Sequence, residues 1–158
     1  MQTTVLITGG SKGIGLAIAE KFLSNGCQVI TFSRSVGDAQ LLKDQYGDKL
    51  DMRFGDLTQT TVVKQLCADV LSKYGRINVL VNNAGTFLPG SILAEEAGIF
   101  ELQMALNVAA AYHTTRAIVP AMGEGDYVFN MCSTASIVPY INGGSYCISK
   151  HAMLGLSK

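Results

Sequence analysis

Short, almost wholly apolar runs alternate along this chain with longer stretches whose apolar residues recur at helical spacing. Val5 to Thr8 is the first run and passes straight into a glycine-rich turn. Ile14, Ala17, Ile18, Lys21 and Phe22 then follow the period of a helix that Asn25-Gly26 ends. Cys27 to Phe32 reads as a second strand, Asp38 to Tyr46 as a polar helix stopping at Gly47, and Leu50 to Phe54 as a third strand ending at Gly55-Asp56. Thr58 to Tyr74 predicts an amphipathic helix with Val62, Val63, Leu66, Val70 and Leu71 on one side. A fourth strand follows from Ile77 to Val81. A loop from Asn82 through Pro89-Gly90 leads to a long helix, Ala97 to Met122, then to a fifth strand, Tyr127 to Met131, and a last helix from Gly143. Strands this apolar are buried on both faces, as in a parallel sheet covered by helices. The expected fold is therefore α/β, a doubly wound parallel sheet in one domain over residues 1–158.

Composition narrows the classes of partner. Lysine plus arginine, 12, equals aspartate plus glutamate, 12, so no net field draws the chain to nucleic acid or to a membrane surface. No apolar run reaches the length of a membrane span. Met1 to Ile7 has no basic leader region and reads as a first strand. These features predict a soluble cytoplasmic protein with no nucleic-acid or membrane partner. Cys27, Cys67, Cys132 and Cys147 are widely spaced and predict free, mostly buried thiols. His113 and His151 lack a metal-ligand spacing, so no metal is expected.

Two clusters carry candidate chemistry. The first is Thr8-Gly9-Gly10-Ser11-Lys12-Gly13-Ile14-Gly15, which follows a strand and opens a helix. Glycine lets backbone approach where a Cβ would block it. The helix amino terminus then offers free N–H groups and a positive dipole end to a pyrophosphate. Phosphate binding is favoured here over a merely tight turn. The second strand ends in Ser33-Arg34, where an unphosphorylated ribose would call for an acidic residue. An arginine suits a 2′-phosphate, and Lys12 offers a second cation, so NADP(H) is expected over NAD(H). The alternative is that both cations are solvated surface charges. Asp56, after the third strand, either reaches an adenine amino group or caps the helix that follows.

The second cluster is Tyr146 and Lys150, four apart and so on one helix face, with Ser133 at the carboxyl end of the fifth strand. Ligands of doubly wound sheets sit at that edge. Carbonyl reduction by hydride needs a proton for the developing alkoxide. A free phenol titrates near 10, and a nearby ammonium favours its ionised form. A tyrosine beside a lysine can therefore act as acid in reduction and as base in oxidation. A serine hydroxyl can steady the substrate oxygen as charge forms.

Taken together, these residues resemble the short-chain dehydrogenases/reductases in their compact single-domain form. The matches are Thr8-Gly9-x-x-x-Gly13-x-Gly15, Asp56, Asn82-Asn83-Ala84-Gly85, Asn107, Ser133 and Tyr146-x-x-x-Lys150, and they run from the first strand to the last residue. The resemblance implies a Rossmann sheet in the strand order 3-2-1-4-5, a nicotinamide cofactor and reversible hydride transfer to a small carbonyl or alcohol substrate. It makes Asn107, Ser133, Tyr146 and Lys150 the catalytic set, with Asn107 holding a water in a proton relay. Lys150 then binds the nicotinamide ribose and eases ionisation of the phenol. Cofactor contacts are implied for Gly9, Ser11, Lys12, Gly13, Ile14, Gly15, Ser33, Arg34, Asp56, Leu57, Asn83, Ala84 and Gly85 as well as Tyr146 and Lys150. Asn83 is also expected to tie the fourth strand to its neighbours.

A homodimer or homotetramer, paired through the long helices after the fourth and fifth strands, is expected on the same ground. Ile137, Val138, Pro139, Tyr140 and Ile141 either line a substrate cleft or pack in the interior. The chain stops eight residues after Lys150, where family members continue through further strands and helices. This predicts that it is part of a longer domain and that its fifth strand is an exposed apolar edge. The competing reading of function is a non-catalytic dinucleotide-binding or interaction module.

Overall fold

A computed structural model describes residues 2–158. In β1 (Thr4–Thr8) successive side chains point to opposite faces of the sheet, and both faces are covered. Leu6 joins Ile30, Leu80, Val63, Leu66, Val70 and Ile118 in one core cluster, while Val5 and Ile7 join Val29, Val81, Ala19, Leu23 and Leu42 in another. A wholly apolar strand is stable only between two such layers. Each fully buried Leu or Ile contributes about 1.5–3 kcal/mol relative to exposure.

The helices α1 (Gly13–Ser24) and α2 (Ala39–Tyr46) supply the second cluster, and α3 (Thr60–Tyr74) packs with a later helix over the first. With β2 (Gln28–Ser33), β3 (Leu50–Phe54), β4 (Val79–Asn82) and β5 (Tyr127–Asn130), the sheet runs β3-β2-β1-β4-β5, every pairing parallel. This is the expected doubly wound order. The reversal lies between β1 and β4, so the loops after these two strands sit side by side.

The long helix departs from its sequence reading. It begins at Ile99, because Gly98 is left-handed with φ of +90°. It comprises α4 (Ile99–Met104), a π turn over Ala105–Ala109 and α5 (Ala110–Ile118), and it closes in a 3₁₀ turn that contains Pro120. The π turn holds Asn107. β4 starts two residues later than predicted, since the Asn78 side chain ties two other segments together. It accepts from the Thr4 N–H at 3.0 Å and donates to Asp126 at 3.0 Å. α3 starts at Thr60 rather than Thr58, after a turn that Asp56 organises. The last helix, α6 (Gly144–Leu156), packs on the 3₁₀ turn Thr134–Ser136, on α4 and on the π turn.

β5 is an edge strand, and Tyr127 and Phe129 are exposed along it. All four cysteines are free. Cys67 lies in the core, where burial pushes its thiol up to about 12. Among the described residues no helix is long and apolar enough to cross a membrane.

The side of the sheet beside β3 carries a network centred on Asp51. Its carboxylate accepts from Arg53 at 2.8 and 2.9 Å, from Lys73 at 2.9 Å and from the Tyr74 hydroxyl at 2.8 Å. Burial alone would raise the Asp51 carboxyl. The three donors together outweigh burial and hold it well below the usual carboxylate range. A carboxyl depressed in the folded state binds its proton more readily when unfolded, so its stabilisation is complete above the unfolded value of about 3.9 and is lost as pH falls below that. Urea-unfolding midpoints should therefore drop as pH is lowered from 6 toward 2, and Asp51→Asn should have a lower midpoint at pH 6 and a shallower acid slope.

Candidate active site

The loop after β1 and the loop after β4 are joined by one hydroxyl. Thr8 is buried, and its Oγ1 accepts from the backbone N–H groups of Asn83 and Ala84, each at 3.0 Å, while it donates to the Val81 carbonyl at 3.5 Å. The Asn83 side chain returns the tie by donating to the Thr8 and Gly9 carbonyls, both at 3.1 Å. Asn83 thus binds the end of β4 to the end of β1. The approach is so close that a Cβ on Gly9 would lie 2.9 Å from the Ala84 Cα, and one on Gly15 would strike the Gly9 carbonyl oxygen. At Gly13, by contrast, a Cβ would meet nothing within 4 Å, and no side chain caps α1. The start of α1 therefore faces open space with its N–H groups available.

That space is a cleft of about 520 Å³. Its walls come from four strand ends: Gly9, Ser11, Lys12, Gly13 and Ile14 after β1, Ser33 and Arg34 after β2, Asp56 and Leu57 after β3, and Asn83, Ala84 and Gly85 after β4. Leu102 and Leu106 of the long helix close the far side. The geometry fits an elongated anionic ligand with its phosphates at the start of α1. Lys12 and Arg34 are exposed cations on its rim. Ser33 is buried, and its hydroxyl donates to the Ser35 carbonyl at 2.8 Å, so it shapes the turn that carries Arg34. Asp56 accepts from the Thr58 N–H at 3.0 Å and from its hydroxyl at 2.8 Å. These bonds, with a contribution from Arg34, hold its carboxyl below the ordinary range. Asp56 thus organises the entry to α3 and lines the cleft as well. Leu57 is part of the core.

Gly15, Ser133, Tyr146 and Lys150 do not line this cleft. Gly15 lies beneath the turn, since its role is close packing. Ser133 caps the 3₁₀ turn after β5, accepting from the Ala135 N–H at 3.2 Å. That leaves its own hydroxyl proton free to donate. Tyr146 is half-buried on α6, its ring edge-on to Phe87 with centroids 4.7 Å apart. Lys150 Nζ lies 5.8 Å from the centre of the same tyrosine ring and donates to the Met131 carbonyl at 2.8 Å. The lysine is buried, and desolvation pushes its ammonium below its ordinary value.

Asn107 connects the two halves. Its Oδ1 accepts from the Thr86 N–H at 2.7 Å, and its Nδ2 donates to the Thr86 carbonyl and to Ser149 Oγ, both at 3.0 Å. Ser149 in turn donates to the Tyr146 carbonyl at 2.8 Å.

A family model described as short chain dehydrogenase matches residues 3–158. The chain belongs to the short-chain dehydrogenase family. It is 33% identical over 150 residues to an NADP-dependent 3-hydroxy acid dehydrogenase, YdfG, of Escherichia coli O6:H1, covering 92% of this chain and 60% of that relative. It is 32% identical over 160 residues to a 3alpha-hydroxysteroid dehydrogenase of Mediterraneibacter gnavus, covering 97% of this chain and 64% of the relative. A crystal structure of a short-chain dehydrogenase from Streptomyces avermitilis superposes with a TM-score of 0.94 at 32% identity, covering 99% of this chain and 58% of that one. The chain thus spans about 60% of the length of such relatives.

Several residues at the site escape sequence reasoning. Phe87 is an exposed loop residue, and only the fold sets it against Tyr146. Glu95 accepts from the Ser145 N–H at 2.7 Å and from the Ser145 hydroxyl, so a carboxylate from the loop after β4 sits at the start of α6. Charge there is favourable to the helix dipole. Gln103 gives a signal in hindsight, because a second amide four residues before Asn107 shares its helix face.

The Thr8 hydroxyl makes a clear structural prediction. Thr8→Val keeps the shape but leaves the half-buried Asn83 and Ala84 N–H groups unpaired. It should destabilise the fold by about 1–3 kcal/mol in chemical denaturation, while Thr8→Ser should recover most of the loss.

Proposed function

We propose that this chain carries the cofactor-binding and catalytic parts of an NADP(H)-dependent oxidoreductase that interconverts a carbonyl and an alcohol. The observation that carries the proposal is a half-buried phenol and a buried ammonium one turn apart on α6, linked through Ser149 and Asn107 to the loop after β4 that also lines the switch-point cleft. The glycine turn and the free start of α1 would bind the pyrophosphate, with Gly9, Ser11, Gly13, Ile14, Ala84 and Gly85 allowing backbone approach. Arg34 and Lys12 would hold a 2′-phosphate, and Asp56 and Leu57 would flank the adenine. When bound, the nicotinamide ring supplies the hydride in reduction and takes it in oxidation.

The residues of this chain manage the proton. Tyr146 gives its phenolic proton to the substrate oxygen in reduction and withdraws it in oxidation. Ser133 donates to the same oxygen as charge develops. Lys150 places a positive charge near the phenol. Asn107 would hold the relay water through an oxygen, since both its amide hydrogens are committed to Thr86 and Ser149, and its Oδ1 already accepts from the Thr86 N–H. A bare nucleotide-binding module has no use for a desolvated lysine beside a tyrosine, which favours the catalytic reading over the non-catalytic one.

The NADP(H) preference draws support from the NADP-dependent relative and from a related structure in complex with NADP, although another is in complex with NAD. Relatives named for a hydroxy acid and for a hydroxysteroid show that the family does not choose the substrate. The groove between the two long helices, lined by Met104, Val108, Tyr112 and Leu156, is apolar and suits a homodimer or homotetramer.

Tyr146→Phe should cut carbonyl reduction by about 10²–10⁴-fold in an NADPH absorbance assay and leave NADPH affinity close to wild type. Turnover that survives this change would sink the mechanism. Arg34→Asp should move the ratio of NADPH to NADH affinity toward NADH by roughly tenfold or more, the equivalent of about 1.4 kcal/mol, in a fluorescence titration. An unchanged ratio would leave Arg34 a solvated surface charge.

A further inference from the structure

Gln103 and Asn107 face the same stretch of loop, and both are buried, at 0% and 1% exposed. Asn107 pairs with both backbone groups of Thr86. Gln103 does the same two residues on, donating to the Leu88 carbonyl at 3.0 Å and accepting from its N–H at 3.4 Å. The two amides therefore meet the backbone groups of residues i and i+2, as a neighbouring strand would. Side chains then alternate. Thr86 and Leu88 are half-buried, whereas Phe87 is 59% exposed and stands edge-on to the Tyr146 ring at an interplanar angle of 81°.

The two segments of the chain that carry that aromatic pair hold no charged side chain. No Lys, Arg, Asp or Glu occurs in residues 86–94 or 133–149. The Glu95 carboxylate is engaged by Ser145, and Lys150 by Met131. The two loops also share a groove of about 430 Å³ at the start of α6, lined in part by Ile92, Pro139, Tyr140 and Ile148, and the Phe87–Tyr146 pair stands just outside that lining, Tyr146 one residue before Cys147 and Phe87 three before Gly90. A carboxylate-bearing substrate would find no cation there to offset its desolvation. An apolar substituent would gain from burial against Phe87.

We propose that Phe87 is a specificity-determining residue that selects carbonyl substrates bearing an apolar or aryl substituent over substrates bearing a carboxylate. Gln103 and Asn107 act as positioning residues that fix its ring. This rests on the reading of Tyr146 as the proton donor.

The test uses the full chain, with phenylalanine rings labelled with ¹³C and the Phe87 resonance assigned through Phe87→Leu. In the presence of NADP⁺, acetophenone is expected to shift the Phe87 resonance and acetoacetate to leave it unmoved. Gln103→Met should shift the Phe87 resonance even without ligand. In the NADPH assay, acetophenone should exceed acetoacetate in kcat/KM by roughly tenfold or more, the scale of an apolar-pocket preference. Phe87→Ala should collapse that preference through a raised KM, with NADPH affinity unchanged. Phe87 is exposed, so this variant keeps the proposal testable even if Gln103→Met fails to fold. A Phe87 resonance that responds to neither compound or to acetoacetate equally, or a preference that survives Phe87→Ala, overturns the proposal. A selective response to acetophenone with no turnover of any carbonyl leaves this inference standing and defeats the mechanism instead.

Discussion

The constraint on which the site depends is the backbone contact between the turn after β1 and the loop after β4. Gly9 and Ala84 approach to a distance that admits no side chain at position 9, and Gly15 lies against the Gly9 carbonyl in the same way. A parallel sheet with this strand order brings the two loops together. Glycine lets them touch, and the Thr8 hydroxyl and Asn83 amide satisfy the polar groups that the contact buries. A residue with a Cβ at either glycine would force the loops apart, and the cleft that opens beside Gly13 would lose its floor.

From that knot a mechanical path runs to α6. The loop after β4 continues from Ala84 to Thr86 and Leu88, where Asn107 and Gln103 take hold of it. It then reaches Glu95, which meets Ser145 at the start of α6. A single loop of the chain is thus fixed in turn by β1, by the long helix and by α6. Placement of the Tyr146 ring against Phe87 follows from these attachments rather than from anything local to Tyr146. The π turn fits this picture, since π turns frequently mark functional sites within helices.

Much of the fold could be read along the chain because its signals are local. The strand, turn and helix from Val5 to Ser24 show themselves through periodicity and glycine spacing, and the residues after β1, β2, β3 and β4 meet in one cleft as that reading implies. Boundaries were less legible. Ile77 is as apolar as any strand residue and is fully buried, yet it lies outside β4, because Asn78 bonds to segments 74 and 48 residues away. The choice at Asp56 between ligand and cap was likewise settled by neither pattern alone. Its carboxylate organises Thr58 while its position lines the cleft.

By itself the sequence determined the alternation of strands and helices, the double-sided burial of the central strands, and the residue types at the glycine turn after β1 and at Tyr146 and Lys150. Those properties depend on side-chain period, on the absence of a Cβ and on four-residue spacing, all of which are local. Tertiary structure alone decided that Lys150 turns to Met131, that Gln103 and Asn107 pair with a loop some 15 to 21 residues earlier, and that Glu95 meets a helix 50 residues on. Such contacts join groups whose separation along the chain carries no periodic signature, and only the packed sheet and its helices bring them within hydrogen-bonding reach.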